Sequence, residues 1–269
     1  MIVDSHCHTS PVWFEPVETL LAVMQANGVD CALLTQLIGQ YDNGYQQDCL
    51  RRYPGRFASI VAVDPARSDA EDELRRLAAA GARGVRLRGD ARSAGADPFA
   101  IWATAQSCGL PVSCFGPATV FIQDAFADLV ARFPRLPFVI EHFAGVGRPG
   151  GLTDEGEINR VLDLARYDNV LLKVPGLGEF VPRPTPLPAR GHSFKGEVPP
   201  MLKRTLDRFG SRRLMWGSDF PPVASREGYA NALRLCREAF AAESAEVQND
   251  IFGETAARVF GLSKPTAAG

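Results

Sequence analysis

At 269 residues, 46% of them hydrophobic, the chain is long enough for one large α/β domain or two small ones and can build a sizeable core. A formal charge of −2 and a pI near 6.1 give no electrostatic case for nucleic acid or an anionic membrane as partner. No charged and apolar leader opens the sequence, no apolar run reaches membrane-spanning length, and the six cysteines show no CxxC spacing, so the expectation is a soluble cytoplasmic protein with reduced thiols.

The first element is "IVDSHCH" (2–8), which spends two of the four histidines one residue apart. On a strand His6 and His8 point to one face and Cys7 to the other; on a helix they would lie about 200° apart and share nothing. A helix follows in "PVETLLAVMQANG", where Val17, Leu20, Leu21 and Met24 form an apolar stripe ended by Gly28. "CALLTQ" (31–36) and "FASIVAVD" (57–64) read as the next strands. "DAEDELRRLAAAG" reads as a helix with an acidic start and a stop at Gly81. Then come "GVRLRG" (84–89), the helical "DPFAIWATAQSCG", "LPVSCFG" (110–116), the helical "IQDAFADLVARFP", "PFVIEHFAG" (137–145), "NVLLKVPG" (169–176) and "LMWGSDFPP" (214–222). Proline excludes regular structure from 181–200, which reads as one long loop, about 177–199, after the seventh strand of a single domain spanning 1–269.

Eight strands alternating with helices predict a closed (β/α)8 barrel. The competing open sheet would carry a glycine-rich phosphate loop after its first strand, and "HCHTSPVWF" is nothing like one. In such a barrel chemistry gathers at the C-terminal strand ends. There the sequence places His6 and His8, Arg86 and Arg88, Glu141-His142, Lys173 and Ser218-Asp219.

The ordered set "DSHCH", "QYDNGY", "RRYPGRFASIVAVDP", "GARGVRLRG", "FVIEHFAG", "NVLLKVPG" and "RRLMWGSDFPP" resembles the amidohydrolase superfamily, in the branch containing 2-pyrone-4,6-dicarboxylate hydrolase and L-fuconolactonase. The resemblance implies an eight-stranded barrel in which His6, His8, His142 and Asp219 surround an activated water, with Asp219 as base. It implies metal ligands in His6, His8 and Asp219, with His142, for Zn²⁺ or Mn²⁺. Metal-binding members usually add a strand-five histidine or a strand-four lysine; here strand five offers Ser113 and Cys114, and a metal-free version in which the histidines polarise the substrate stays open. No organic cofactor is expected.

For the substrate, Arg86 and Arg88 alternate with apolar Val85 and Leu87 and so share a face, where a guanidinium fork suits a carboxylate. The expected substrate is a small anion. Lys173, Gln36, Asn43, Tyr45, Arg183 and Arg190 are further binding candidates; Trp13 and Phe14 are expected to pack on the barrel or wall the pocket, and His192 to be exposed. The leading function is hydrolysis of a lactone or related cyclic ester. The alternative is a metal-dependent decarboxylase, whose usual strand-five histidine is missing. Monomer and homo-oligomer are both open.

Overall fold

The computed structural model describes residues 1–181, 185–187 and 200–264. Eight parallel strands follow one another in chain order around a nearly closed barrel: β1 (Val3–Cys7), β2 (Cys31–Thr35), β3 (Phe57–Ala62), β4 (Gly84–Arg88), β5 (Val112–Phe115), β6 (Phe138–Ile140), β7 (Val170–Val174) and β8 (Leu214–Trp216). The expected (β/α)8 architecture is therefore the observed one. Helices Val17–Ala26, Ala70–Ala79, Ala100–Ser107 and Asp124–Arg132 form where the apolar stripes predict them. Each buries its stripe against the outer face of the strands, as Leu20 and Met24 do for the first and Leu74 and Leu77 for the second.

The seam between β1 and β8 is closed by side chains and backbone together. Asp4 is fully buried and accepts hydrogen bonds from the Ser218 backbone N (2.8 Å), the Ser218 hydroxyl (2.6 Å) and the Tyr229 hydroxyl (3.0 Å). The chain beyond β8 then donates from Asp219 N to His6 O (2.8 Å) and accepts from His8 N at Phe220 O (2.7 Å). Only glycine fits at 217, because a Cβ there would lie 2.6 Å from that of His6. This close approach brings the His6-His8 strand end beside Asp219.

The barrel interior is layered. Its lower layer is apolar, with Val3, Leu33, Ile60, Val139, Leu171 and Met215 packed on Ala256 and Phe260 of the C-terminal helix Thr255–Phe260. Above it the inward positions turn polar, to His6, Arg86, Ser113, Glu141 and Lys173, all buried. An apolar floor under a polar layer confines water and chemistry to the open end of the barrel.

Two sequence expectations change. "FVIEHFAG" is strand only to Ile140; His142, Phe143 and Ala144 then take left-handed backbone (φ 51°, 50° and 57°) and Gly145 completes the turn at 74°. The loop expected over 177–199 begins with a short 3₁₀ turn at Leu177–Glu179, and most of the remainder, with Arg183, Arg190 and His192, lies outside the described residues. Among the described residues no helix is long and apolar enough to cross a membrane.

Phe260 plugs the barrel at the end opposite the polar layer. Phe260→Ala is expected to cost about 3–5 kcal/mol of stability in urea unfolding, with kcat within a factor of about two of wild type once the protein is folded.

Candidate active site

The polar layer is built around Glu141. Arg86 on β4 donates to it through both arms of its fork, Nε to Oε1 at 3.0 Å and NH2 to Oε2 at 2.7 Å, while a third guanidinium nitrogen donates to Gln36 O at 2.7 Å. Ser113 donates its hydroxyl to Glu141 Oε1 (2.7 Å) and accepts from Lys173 Nζ (2.8 Å). Burial raises a carboxyl pKa, but the Arg86 and Lys173 charges outweigh it here and hold Glu141 at about 2. Lys173 carries the converse imbalance. Burial and the Arg86 charge, opposed by Glu141, bring its pKa down to about 8.

Lys173 Nζ also lies 2.9 Å from His6 Nδ1, and His6 Nε2 lies 3.2 Å from His142 Nε2. His142 Nδ1 meets the Glu179 carboxylate at 2.7 Å, so that nitrogen carries a proton. Two wirings satisfy the row. In one, ammonium Lys173 donates to His6, and His6 donates from Nε2 to neutral His142. In the other, protonated His142 donates to His6, and His6 donates from Nδ1 to neutral Lys173. Both hold the same number of protons. Burial and the Lys173 charge keep His6 itself well below its ordinary pKa; burial would also lower His142, but Glu179 outweighs it and holds His142 above the ordinary value.

His8 donates from Nδ1 to Thr35 O (2.7 Å) and brings Nε2 to 3.5 Å from Asp219 Oδ1; His6 Nε2 lies 3.8 Å from the same oxygen. Burial opposes ionisation of Asp219, yet the His8 contact and the His142 and Arg226 charges hold its pKa below the usual carboxylate range. Arg226 NH1 donates to Asp219 Oδ2 at 2.8 Å and approaches Glu179 at 3.5 Å, tying the two carboxylates together. Asp219 and His142 both sit on left-handed backbone (φ 58° and 51°), a strain of about 1–3 kcal/mol each. It persists because hydrogen bonds fix both ends: Asp219 N on His6 O, and His142 Nδ1 on Glu179.

A cavity of about 770 Å³ opens over these groups, lined by His8, Arg86, His142 and Asp219 at its base and by Trp13, Phe14, Leu37 and Ile38 at its wall. The Trp13 loop is self-braced. Ser10 Oγ accepts from the backbone N of Val12 and Trp13, and Ser10 N donates to Glu15 O.

The structure brings His6, His8, His142, Asp219, Arg86 and Lys173 to one place. Arg88 stands apart at the mouth, exposed and paired with Asp90 at 2.6 Å. Gln36 and Asn43 serve the loop after β2: Gln36 Nε2 donates to Asp42 O, and Asn43 bridges to Ala62 N and O. Tyr45 accepts from Val17 N at the start of the first helix. Sequence reasoning did not single out Glu179 or Arg226, which sit on loops after β7 and β8. It saw Glu141 and Ser113 without their roles. The available signal for Glu141 was an acid ending a strand in a chain whose neighbouring strands carry Arg86 and Lys173.

With the geometry in place, the family follows. The amidohydrolase family model matches residues 3–262, and the chain belongs to that family. It is 28% identical over 225 residues to 4-sulfomuconolactone hydrolase of Hydrogenophaga intermedia, covering 82% of this chain and 68% of the relative. It is 30% identical over 149 residues to L-fucono-1,5-lactonase of Burkholderia ambifaria, covering 53% of this chain and 47% of that relative. A candidate 2-pyrone-4,6-dicarboxylic acid hydrolase from Pseudomonas putida superposes with a TM-score of 0.77 at 21% identity, over 97% of this chain and 98% of that one, and so shares the fold.

Because Arg86 is buried against Glu141 while Arg88 is half exposed, the two arginines should separate in stability. Arg86→Met, which strands the Glu141 charge, is expected to cost about 3–5 kcal/mol, and Arg88→Met less than about 1 kcal/mol, by denaturant unfolding at neutral pH.

Proposed function

We propose that this protein opens a lactone of a small carboxylate-bearing molecule by attack of water, with Asp219 taking the proton. The observation that carries this reading is the convergence of Asp219 with His8 and His142 on one cavity, the nearest imidazole nitrogen 3.5 Å from the carboxylate and buried His6 3.8 Å from it. Two relatives whose names denote lactone hydrolysis support the reaction class. On β5 the inward position is Ser113, so that strand brings no nitrogen ligand, which favours hydrolysis over decarboxylation.

Asp219 is ionised at any physiological pH and so is always available as a base, though a weak one. A weak base needs an acidified water. The donor set suits a divalent cation such as Zn²⁺ or Mn²⁺: ligand atoms of His6, His8 and Asp219 lie within 4.8 Å of one another, and Nδ1 of His8 is committed to Thr35 O, which turns Nε2 as the ligand nitrogen toward Asp219. Loss of the one proton shared along the Lys173-His6-His142 row frees Nε2 of His6 and His142 together. A divalent ion there would acidify the attacking water and polarise the ester carbonyl. This chain's own residues do the rest. Arg226 and His8 orient the Asp219 carboxylate toward the cavity. Glu179 holds the Nδ1 proton of His142 and so aims its Nε2 toward His6 at the reacting centre.

Asp219→Asn is nearly isosteric and is expected to lower kcat by about 10²–10⁴-fold with little change in stability. A variant retaining more than about a tenth of wild-type turnover on every lactone tested would remove Asp219 from the base role. Chelator treatment is expected to abolish activity and added Zn²⁺ or Mn²⁺ to restore it; activity indifferent to chelator, in protein without stoichiometric metal, would assign the histidines to the substrate instead.

A further inference from the structure

The cavity has two unlike ends, and their difference speaks to the substrate. Single exposed hydrophobic side chains are ordinary. Here they cluster: Trp13 (72% exposed), Ile38 (66%) and Phe14 (40%) line the main cavity, and Val12 and Tyr41, also exposed, belong to the same two loops after β1 and β2. A monocyclic lactone of about ten non-hydrogen atoms would occupy roughly 300 Å³ at about 30 Å³ per water-sized unit. The main cavity offers about 770 Å³, within the range of sites that enclose substantially larger ligands.

On the other side of His142 a second cavity of about 430 Å³ shares Ile38, Arg86 and His142 with the first and continues to Arg88 and Arg148. Its three guanidinium groups are not equivalent. Arg86 is spent on Glu141 and Arg88 on Asp90. Arg148 has its nearest carboxylate, Glu179, at 3.9 Å, and among the described residues nothing accepts a hydrogen bond from it. Its fork is open to an incoming anion.

The geometry points to an amphipathic substrate: a lactone carrying an alkyl or aryl substituent that lies along Trp13 and Ile38, with its anionic group held by Arg148 in the side chamber. The ester bond then falls between them, over His142 and Asp219. This rests on the lactonase reading and adds the substituent and its anchor. The apolar rim explains itself once the substituent covers it, since each buried methylene adds to binding.

The test is a series of γ-lactones bearing a ring carboxylate and an alkyl chain lengthened from methyl to hexyl, each matched by its uncharged carboxamide. With the full chain, kcat/KM is expected to rise about two- to fourfold per methylene, and each acid to exceed its amide by about tenfold or more. Trp13→Ala should flatten the chain-length series while keeping the acid preference. Arg148→Met should erase the acid preference while keeping the series. A flat or falling wild-type series in which the methyl acid is still hydrolysed would overturn the inference and leave lactone hydrolysis standing. So would a Trp13→Ala variant that changes the oligomeric state, because the rim would then belong to a contact between copies. Failure to hydrolyse any member of either series would remove the lactonase reading itself.

Discussion

Glu141 placed between Arg86 and Lys173 is the interaction on which the site depends. A carboxylate inside a barrel is costly unless paired, and Arg86 meets it with a two-armed fork while Ser113 bridges it to Lys173. That arrangement leaves Lys173 beside His6, fixes the His6 ring by its Nδ1 edge, and turns the opposite edge toward His142 and Asp219. The His6 imidazole is thus aimed by a lysine that the Glu141 charge holds in place through Ser113. The same pairing explains why Arg86 borders the cavity with part of its fork already committed: it secures the floor on which His6, His142 and Asp219 are set.

Around that floor the two loops after β7 and β8 act as a brace. Glu179 and Arg226 connect His142 to Asp219 from outside the barrel, and the buried Glu227 carboxylate accepts from Gly178 N, next to Glu179. The two strained residues are held by partners on different elements, so neither can relax alone. Rigid placement of this kind is what a reaction that gains from preorganised dipoles requires.

Much of this was legible in the sequence. Eight apolar runs, most of them interrupted by polar or charged residues near their C-terminal ends, predicted the barrel and its open end, because strand alternation and helix stripes are local properties. His6, His8, His142 and Asp219 could be found because each interrupts such a run at the same end. What local pattern does not encode is the pairing. Arg86 and Arg88 alternate identically in sequence, yet one strand position faces Glu141 across the interior and the next inward position has risen to the solvent and Asp90. Glu179, Arg226 and Arg148 sit on loops whose courses follow from packing, and the left-handed turn at His142 is announced only by Gly145 behind it.

The loop bearing Trp13 is held in shape by its own hydrogen bonds, Ser10 to Val12, Trp13 and Glu15, rather than by the barrel's charged layer. It is therefore a separable cassette. Its length and residues can drift without disturbing the groups beneath, so the shape of the cavity wall can be rewritten through edits to one short insert while the buried charged layer under it stays as it is.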